Sequence, residues 1–461
     1  MNNKKTNLHN AFLVLLGALL MGLLWRVRGE HGWGSSWGLL NAGFIFTMFI
    51  ITVKGSRKKL NLGWTSLTSL AFMLTTPGWG TLLNQITGVV YRAEDWANGG
   101  ETVYTSVGSA IFLMLCLGFG LASLFGIMLG RGFSEKQWKL KHFIILLAVF
   151  FITDLIACAF ISPIILHFVQ PEAEEVFNIG LTIAMEKESA YEAFLDHFKD
   201  VSWAKKIDGG RNYFQSLEAI TSAIKAIVSL FTVRFIIKDK TAAKTGAVVC
   251  TAFSFAITVS DLFFYFGNGG YHMLNDSYLP EFFYPWGCWE YFTGFIAGGI
   301  ITAFIIKLKP KTDMPELAFG KVPEKVSNVI TFLLGTVFMI GVNIVRPVLV
   351  RFSDSGYMTI ATVIAILFAL AVILLFVKYY GINATRSDIQ KYASGLLFFF
   401  IAYLNIVYLF VGTEDCTHFL RNTGFQHSMA LFSVIVLIIW LAFSDDKNKK
   451  FQQIKGDNYE F

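Results

Sequence analysis

The run IFLMLCLGFGLASLFGIML at 111–129 holds no charged residue and closes on the basic loop RGFSEKQWKLK at 131–141. An uncharged run of this length can cross the hydrocarbon core of a bilayer, and as an α-helix it satisfies its own backbone hydrogen bonds there. Along it Gly118, Ala122, Gly126 and Gly130 recur every four residues, a stripe of small residues that lets a neighbouring backbone come close. Similar apolar segments recur along the chain, at roughly 10–26, 34–53, 62–76, 104–129, 143–168, 217–237, 245–267, 286–308, 326–350, 357–377, 394–411 and 427–443. The pattern predicts an all-α polytopic membrane protein with about twelve transmembrane helices. Composition agrees: 54% of the 461 residues are hydrophobic and only 15% charged, more apolar surface than a water-soluble interior can hide.

Twelve crossings put both termini on one side of the membrane. The loops KGSRKK (54–59), RGFSEKQWKLK, KDKTAAK (238–244) and KLKPK (307–311), together with the KNKK tail, fall on that same side, which makes it cytoplasmic. Acidic runs such as AEDW (93–96), EAEE (172–175) and TED (413–415) fall opposite. Residues 1–461 read as a single helical membrane domain, with 444–461 a cytoplasmic tail. The long loop 169–216 carries Ala190, Phe194, Phe198 and Val201 at helical spacing and reads as an extracytoplasmic amphipathic cap. Residues 1–26 read as a retained first helix rather than a cleaved leader, because the apolar run ends in Trp25-Arg26-Val27-Arg28 with no small-residue cleavage site. WGSSWGLLNAGFI (33–45) faintly echoes WGCWEYFTGFI (286–296), as a six-plus-six repeat would. The net charge of +6 is spread over membrane-flanking loops, which excludes nucleic acid as a partner.

Chemistry must be read from where charges meet the bilayer. The turn Arg26-Val27-Arg28-Gly29-Glu30-His31-Gly32-Trp33-Gly34 is the densest polar cluster, and paired guanidinium groups offer planar donors to carboxylate, sulfate or phosphate. Arg26, Arg28, Glu30 and His31 are therefore candidate solute-binding residues, joined by Arg346. After Pro77 the segment TLLNQITGVVY (81–91) reads as a broken or re-entrant helix, with Asn84 and Gln85 as uncharged solute donors. Ionisable residues within a span are costly unless paired, so each is a functional candidate. Asp154 and Lys225 fall near mid-membrane on neighbouring segments and suit an ion pair. Asp261 and Glu290 lie at matching depth on consecutive segments, where two converging carboxyls would share a proton or bind a cation. These four are the candidate ion-coupling residues.

The five scattered cysteines and eight histidines show no metal-ligand spacing, and nucleotide-binding and hydrolase motifs are missing, so neither metal nor cofactor is expected. The preferred expectation is a proton- or sodium-coupled secondary transporter of a small polar or anionic solute in the cytoplasmic (plasma) membrane, with membrane lipid and the solute as its partners. One rival is a membrane-embedded transferase acting on lipid-linked glycan or acyl groups at the outer leaflet. A second is a non-catalytic membrane assembly factor.

Overall fold

The computed structural model describes residues 2–28, 35–54, 62–75, 89–91, 102–104, 106–136, 138–187, 210–268 and 285–308, with isolated helical positions from 360 to 370. Eleven α-helices account for nearly all of this: α1 (Asn2–Val27), α2 (Ser35–Lys54), α3 (Leu62–Leu74), α4 (Val107–Leu121), α5 (Ser123–Arg131), α6 (Leu140–Ile156), α7 (Ser162–Val169), α8 (Pro171–Lys187), α9 (Gly210–Phe231), α10 (Lys240–Asn268) and α11 (Pro285–Lys307). Among the described residues six stretches are long and apolar enough to cross a membrane: Asn7–Arg26, Val107–Arg131, Leu140–Val169, Tyr213–Ile236, Lys240–Asp261 and Cys288–Lys307. The chain is an integral membrane protein of helical class. The segments expected at 326–350, 394–411 and 427–443, most of 357–377, and the 444–461 tail lie outside the described residues, as does the 190–201 part of the cap.

Two details refine the helical reading. The helix α3 has 13 residues, about 20 Å at the α-helical rise, too short to cross the hydrocarbon core unaided. One short ribbon accompanies the helices: Val89–Tyr91 pairs antiparallel with Thr102–Tyr104, in the register Val89↔Tyr104, Val90↔Val103 and Tyr91↔Thr102. The end of the expected re-entrant helix is thus a strand. Its Val-Val-Tyr and Thr-Val-Tyr triplets are β-branched and aromatic, residue types that favour strands.

In lipid, helices are not driven together by the hydrophobic effect, so close backbone packing has to hold them. Two seams do so. The first joins α1 to α11 in antiparallel sense, where a Cβ added at Gly294 would strike the Met21 carbonyl and one at Gly298 would sit 2.5 Å from the Gly17 carbonyl. The second is the stripe predicted from sequence: Gly118 faces Ser254 and Ile257 of α10, Gly126 faces Gly246 and Val249, and Gly130 faces Ala242 and Thr245. Between the seams lies an aromatic core, in which Phe72 of α3 stacks on Phe125 of α5 at 4.3 Å and Trp25 lies 5.1 Å from Phe253, centroid to centroid.

The third interface, α6–α7 against α9, is polar. Lys225 Nζ lies 2.7 Å from Asp154 Oδ1, the Ser162 and Thr221 hydroxyls are 2.7 Å apart, and Ser216 Oγ donates to Gln170 Oε1 at 2.6 Å. Only 17% of Leu140–Val169 is buried, and Phe151, Leu155, Phe160, Ile164 and Phe168 on this limb are exposed. A π turn at Ala157–Ile161 precedes Pro163, which has no N–H for the α-helical bond and crowds the carbonyl four residues back.

Candidate functional site

The structure brings together residues from the first turn and from α11. Arg26 and Arg28 end α1, and Glu290 lies in the second turn of α11. Arg26 Nη1 donates to Glu290 Oε2 at 2.8 Å, and Arg28 Nη2 lies 3.7 Å from the other carboxylate oxygen. All three are largely withdrawn from solvent, Arg26 at 8% and Arg28 at 6% exposure, with the Glu290 side chain at 14%. The cluster rests on indoles. The Arg28 guanidinium carbon is 4.5 Å from the Trp25 ring centroid and 5.7 Å from that of Trp289.

Local sequence explains the convergence. Trp25 and Arg28 are three apart, so the helix stacks the guanidinium over the ring. The glycine seam then draws α11 onto α1 until residue 290 reaches the arginines. Gly38 of α2 lies directly against the Arg28 backbone carbonyl, where a Cβ would overlap it. Burial pulls the Arg28 guanidinium down to about 10, with Glu290 opposing that fall and Arg26 adding to it. At neutral pH Arg28 therefore keeps its proton.

The other described candidates lie on α6, α9 and α10. Asp261 is fully buried on α10, the helix packed beside α11. Glu290 has its carboxylate on the two arginines of α1, an arrangement the sequence reading, which matched it by depth to Asp261, did not anticipate. Asp154 and Lys225 meet in the third interface, where the Asp154 side chain is 41% exposed. Glu30, His31, Asn84, Gln85 and Arg346 lie outside the described residues. At the far end of the helix pair α8–α7, His167 Nδ1 is 2.8 Å from Glu174 Oε2, beside an open hollow that Asn178 and Thr182 also line.

One polar cluster was missed. At the basic end of the bundle Asp239 accepts from Ser134 Oγ and Trp138 Nε1, each at 2.8 Å, and from the Ala242 backbone N–H at 2.9 Å. The last of these caps the start of α10. Buried Arg131 lies nearby, 5.0 Å from the Phe143 ring centroid. The signal was legible as an Asp one residue before a helix, within Lys238-Asp239-Lys240-Thr241.

No known family model matches this chain, and no curated protein or solved structure matches it either.

Proposed function

We propose that this protein is a secondary transporter of a small anionic solute, and that Arg26 and Arg28 form its recognition site at the outer end of the bundle. The observation that supports this most is the Arg26–Glu290–Arg28 cluster. Two guanidinium groups on one helix already hold a carboxylate presented by another, and that donor geometry suits a carboxylate, phosphate or sulfate of a solute equally well. Glu290 acts as the internal occupant that an incoming anion displaces. Asp261, fully buried on the adjacent helix, is the residue assigned to proton or sodium coupling, because an ionisable group withdrawn from solvent in a spanning segment is a functional candidate. The reading takes the chain as a twelve-helix protein of the cytoplasmic membrane with its basic loops inside, which the distribution of Lys and Arg supports.

The test uses purified protein in liposomes and radiolabelled acetate, succinate, phosphate and sulfate. Wild-type protein accumulates at least one of these anions, and Arg28→Lys, which keeps the charge but loses the planar fork, cuts uptake by about tenfold or more while the protein still folds. Wild-type uptake in Arg28→Lys would reduce the arginine to a structural anchor. A second reading is an outer-leaflet transferase, favoured by the gathering of all three charges at one end of α1 and α11. Turnover of a lipid-linked donor, with none of the anions moved, would establish that instead.

A further inference from the structure

A second cationic site lies at the opposite end of the bundle. The helix α9 closes in a π turn at Thr232–Ile236, the chain reverses through Lys238 with φ 62, and α10 begins at Lys240. Between the two helices lies a hollow of about 270 Å³, lined by Phe231, Arg234, Phe235, Lys240 and Lys244 together with Leu230 and Ala243. That volume is below the range of drug-sized ligand pockets and admits a headgroup.

Its charge is one-sided. Arg234, Lys238, Lys240 and Lys244 are all exposed, and none has an acidic partner among the described residues. The one carboxylate in this turn, Asp239, is only 1% exposed and points inward, where it accepts from Ser134, Trp138 and the Ala242 N–H. Burying Asp239 leaves its neighbouring lysines outside without a counter-charge. The wall beside them is apolar: Phe231 and Phe235 stack at 5.6 Å and are 58% and 61% exposed, and Ile236 is 61% exposed. Cations at one level, with exposed aromatic and aliphatic surface running from them along a membrane-spanning helix, match the amphipathic shape of a lipid.

We infer that the hollow between α9 and α10 binds one anionic phospholipid from the leaflet on the basic-loop side. Its phosphate lies among Arg234, Lys240 and Lys244, and an acyl chain runs along Phe231, Phe235 and Ile227. Charge complementarity selects the headgroup and the apolar wall requires the chain. The Phe231–Phe235 pair distinguishes this site from a general basic surface, since loose attraction to a charged leaflet needs no such wall.

The test is native mass spectrometry of the full-length protein released from detergent and titrated with phosphatidylglycerol, phosphatidylcholine or soluble glycerol 3-phosphate. Phosphatidylglycerol should be retained in preference to phosphatidylcholine. Removing Arg234, Lys240 and Lys244 as alanines should weaken retention roughly fivefold per cation. Neutralising Lys136, Lys139 and Lys141, which removes equal charge from the neighbouring loop, should leave it unchanged. If the triple variant does not fold, Arg234→Gln and Phe235→Ala carry the test singly, each lowering retention. Equal loss in the Lys136, Lys139 and Lys141 control would overturn the site in favour of diffuse attraction. Binding of glycerol 3-phosphate as tightly as the lipid would show a free phosphate compound to be the occupant, and equal retention of phosphatidylcholine would remove the charge argument.

Discussion

Replacing Glu290 with glutamine tests the charge cluster most directly. The carboxylate serves two cations, at 2.8 and 3.7 Å. At an effective dielectric near 20, unit charges about 4 Å apart attract by about 4 kcal/mol, and removing one partner from a buried pair costs about 3–5 kcal/mol net. Glu290→Gln removes the carboxylate that both arginines share and belongs at the upper end, about 5 kcal/mol. Arg26→Met leaves Glu290 with Arg28 and belongs near the lower end, about 3 kcal/mol by the same principle. The double variant removes one charge of each sign, so its cost should fall short of the sum of the two singles by about 2 kcal/mol, as expected of groups in contact. The assay is equilibrium unfolding in mixed micelles, followed by tryptophan fluorescence. Additive costs, or a Glu290→Gln protein within about 1 kcal/mol of wild type, well below the buried-pair range, would refute the account of a buried, mutually neutralising cluster.

Arg28 adds a pH signature to the same experiment. Its folded-state value of about 10 lies below the ordinary 12.5, so above pH 10 the folded chain releases this proton before the unfolded chain does. The unfolded state then binds more protons, and the contribution of this group to stability rises with pH across that window. Glu290→Gln removes the influence that opposes the fall, so the rise should begin at lower pH than in wild type.

Three further outcomes are expected. Gly298→Leu drives a side chain into the Gly17 carbonyl and should lower stability by about 1–3 kcal/mol or more, seen as a reduced melting temperature in detergent with the same helix content. Asp239→Ala removes the acceptor of three hydrogen bonds, including a helix cap, at about 1 kcal/mol each, and should expose Trp138 to fluorescence quenching; unchanged quenching would mean the contact is dispensable. In a background without native cysteines, single cysteines at positions 139 and 238 should react with an impermeant reagent from one side of the membrane, and one at position 175 from the other. Labelling of 139 and 175 from the same side would end the proposed sidedness.

The helical class was legible because a bilayer leaves the backbone few options, and a charge-free run such as 111–129 has one reading. The Gly118–Gly130 stripe was equally legible, since small residues every four positions have few uses besides close packing, and they meet α10 in the structure. What depth along the chain cannot supply is direction around a helix. Level alone did not show that the Glu290 carboxylate reaches the arginines of α1, where the Gly294–Gly298 face draws α11 against α1. Conversely, Asp154 and Lys225 were matched by level and do meet, since α6 and α9 happen to present these faces to each other. The pairing of Val89–Tyr91 with Thr102–Tyr104 was not legible because the hydrophobicity of Val89-Val90-Tyr91 suits a strand as well as a helix, and three residues carry too little periodicity to separate them.

The positions of the seams bear on how such a molecule could work. A recognition site gains affinity when its groups are held in place before the ligand arrives, since less ordering then opposes binding. Arg26, Arg28 and Glu290 stand at the end of the α1–α11 interface, where Gly294 and Gly298 bring backbone against the Met21 and Gly17 carbonyls and Thr302 and Tyr291 pack against Gly17 and Gly22. Sliding there would require glycine faces to ride over carbonyl groups, so this pair of helices behaves as one stiff element. The α6–α7 limb is different in kind. It is held to α9 by side-chain hydrogen bonds and an ion pair, which can exchange partners along a helix, and π turns interrupt both α6–α7 and the end of α9. Any large rearrangement that opens the bundle therefore meets least resistance at the polar interface, with the arginines carried on the half that stays fixed.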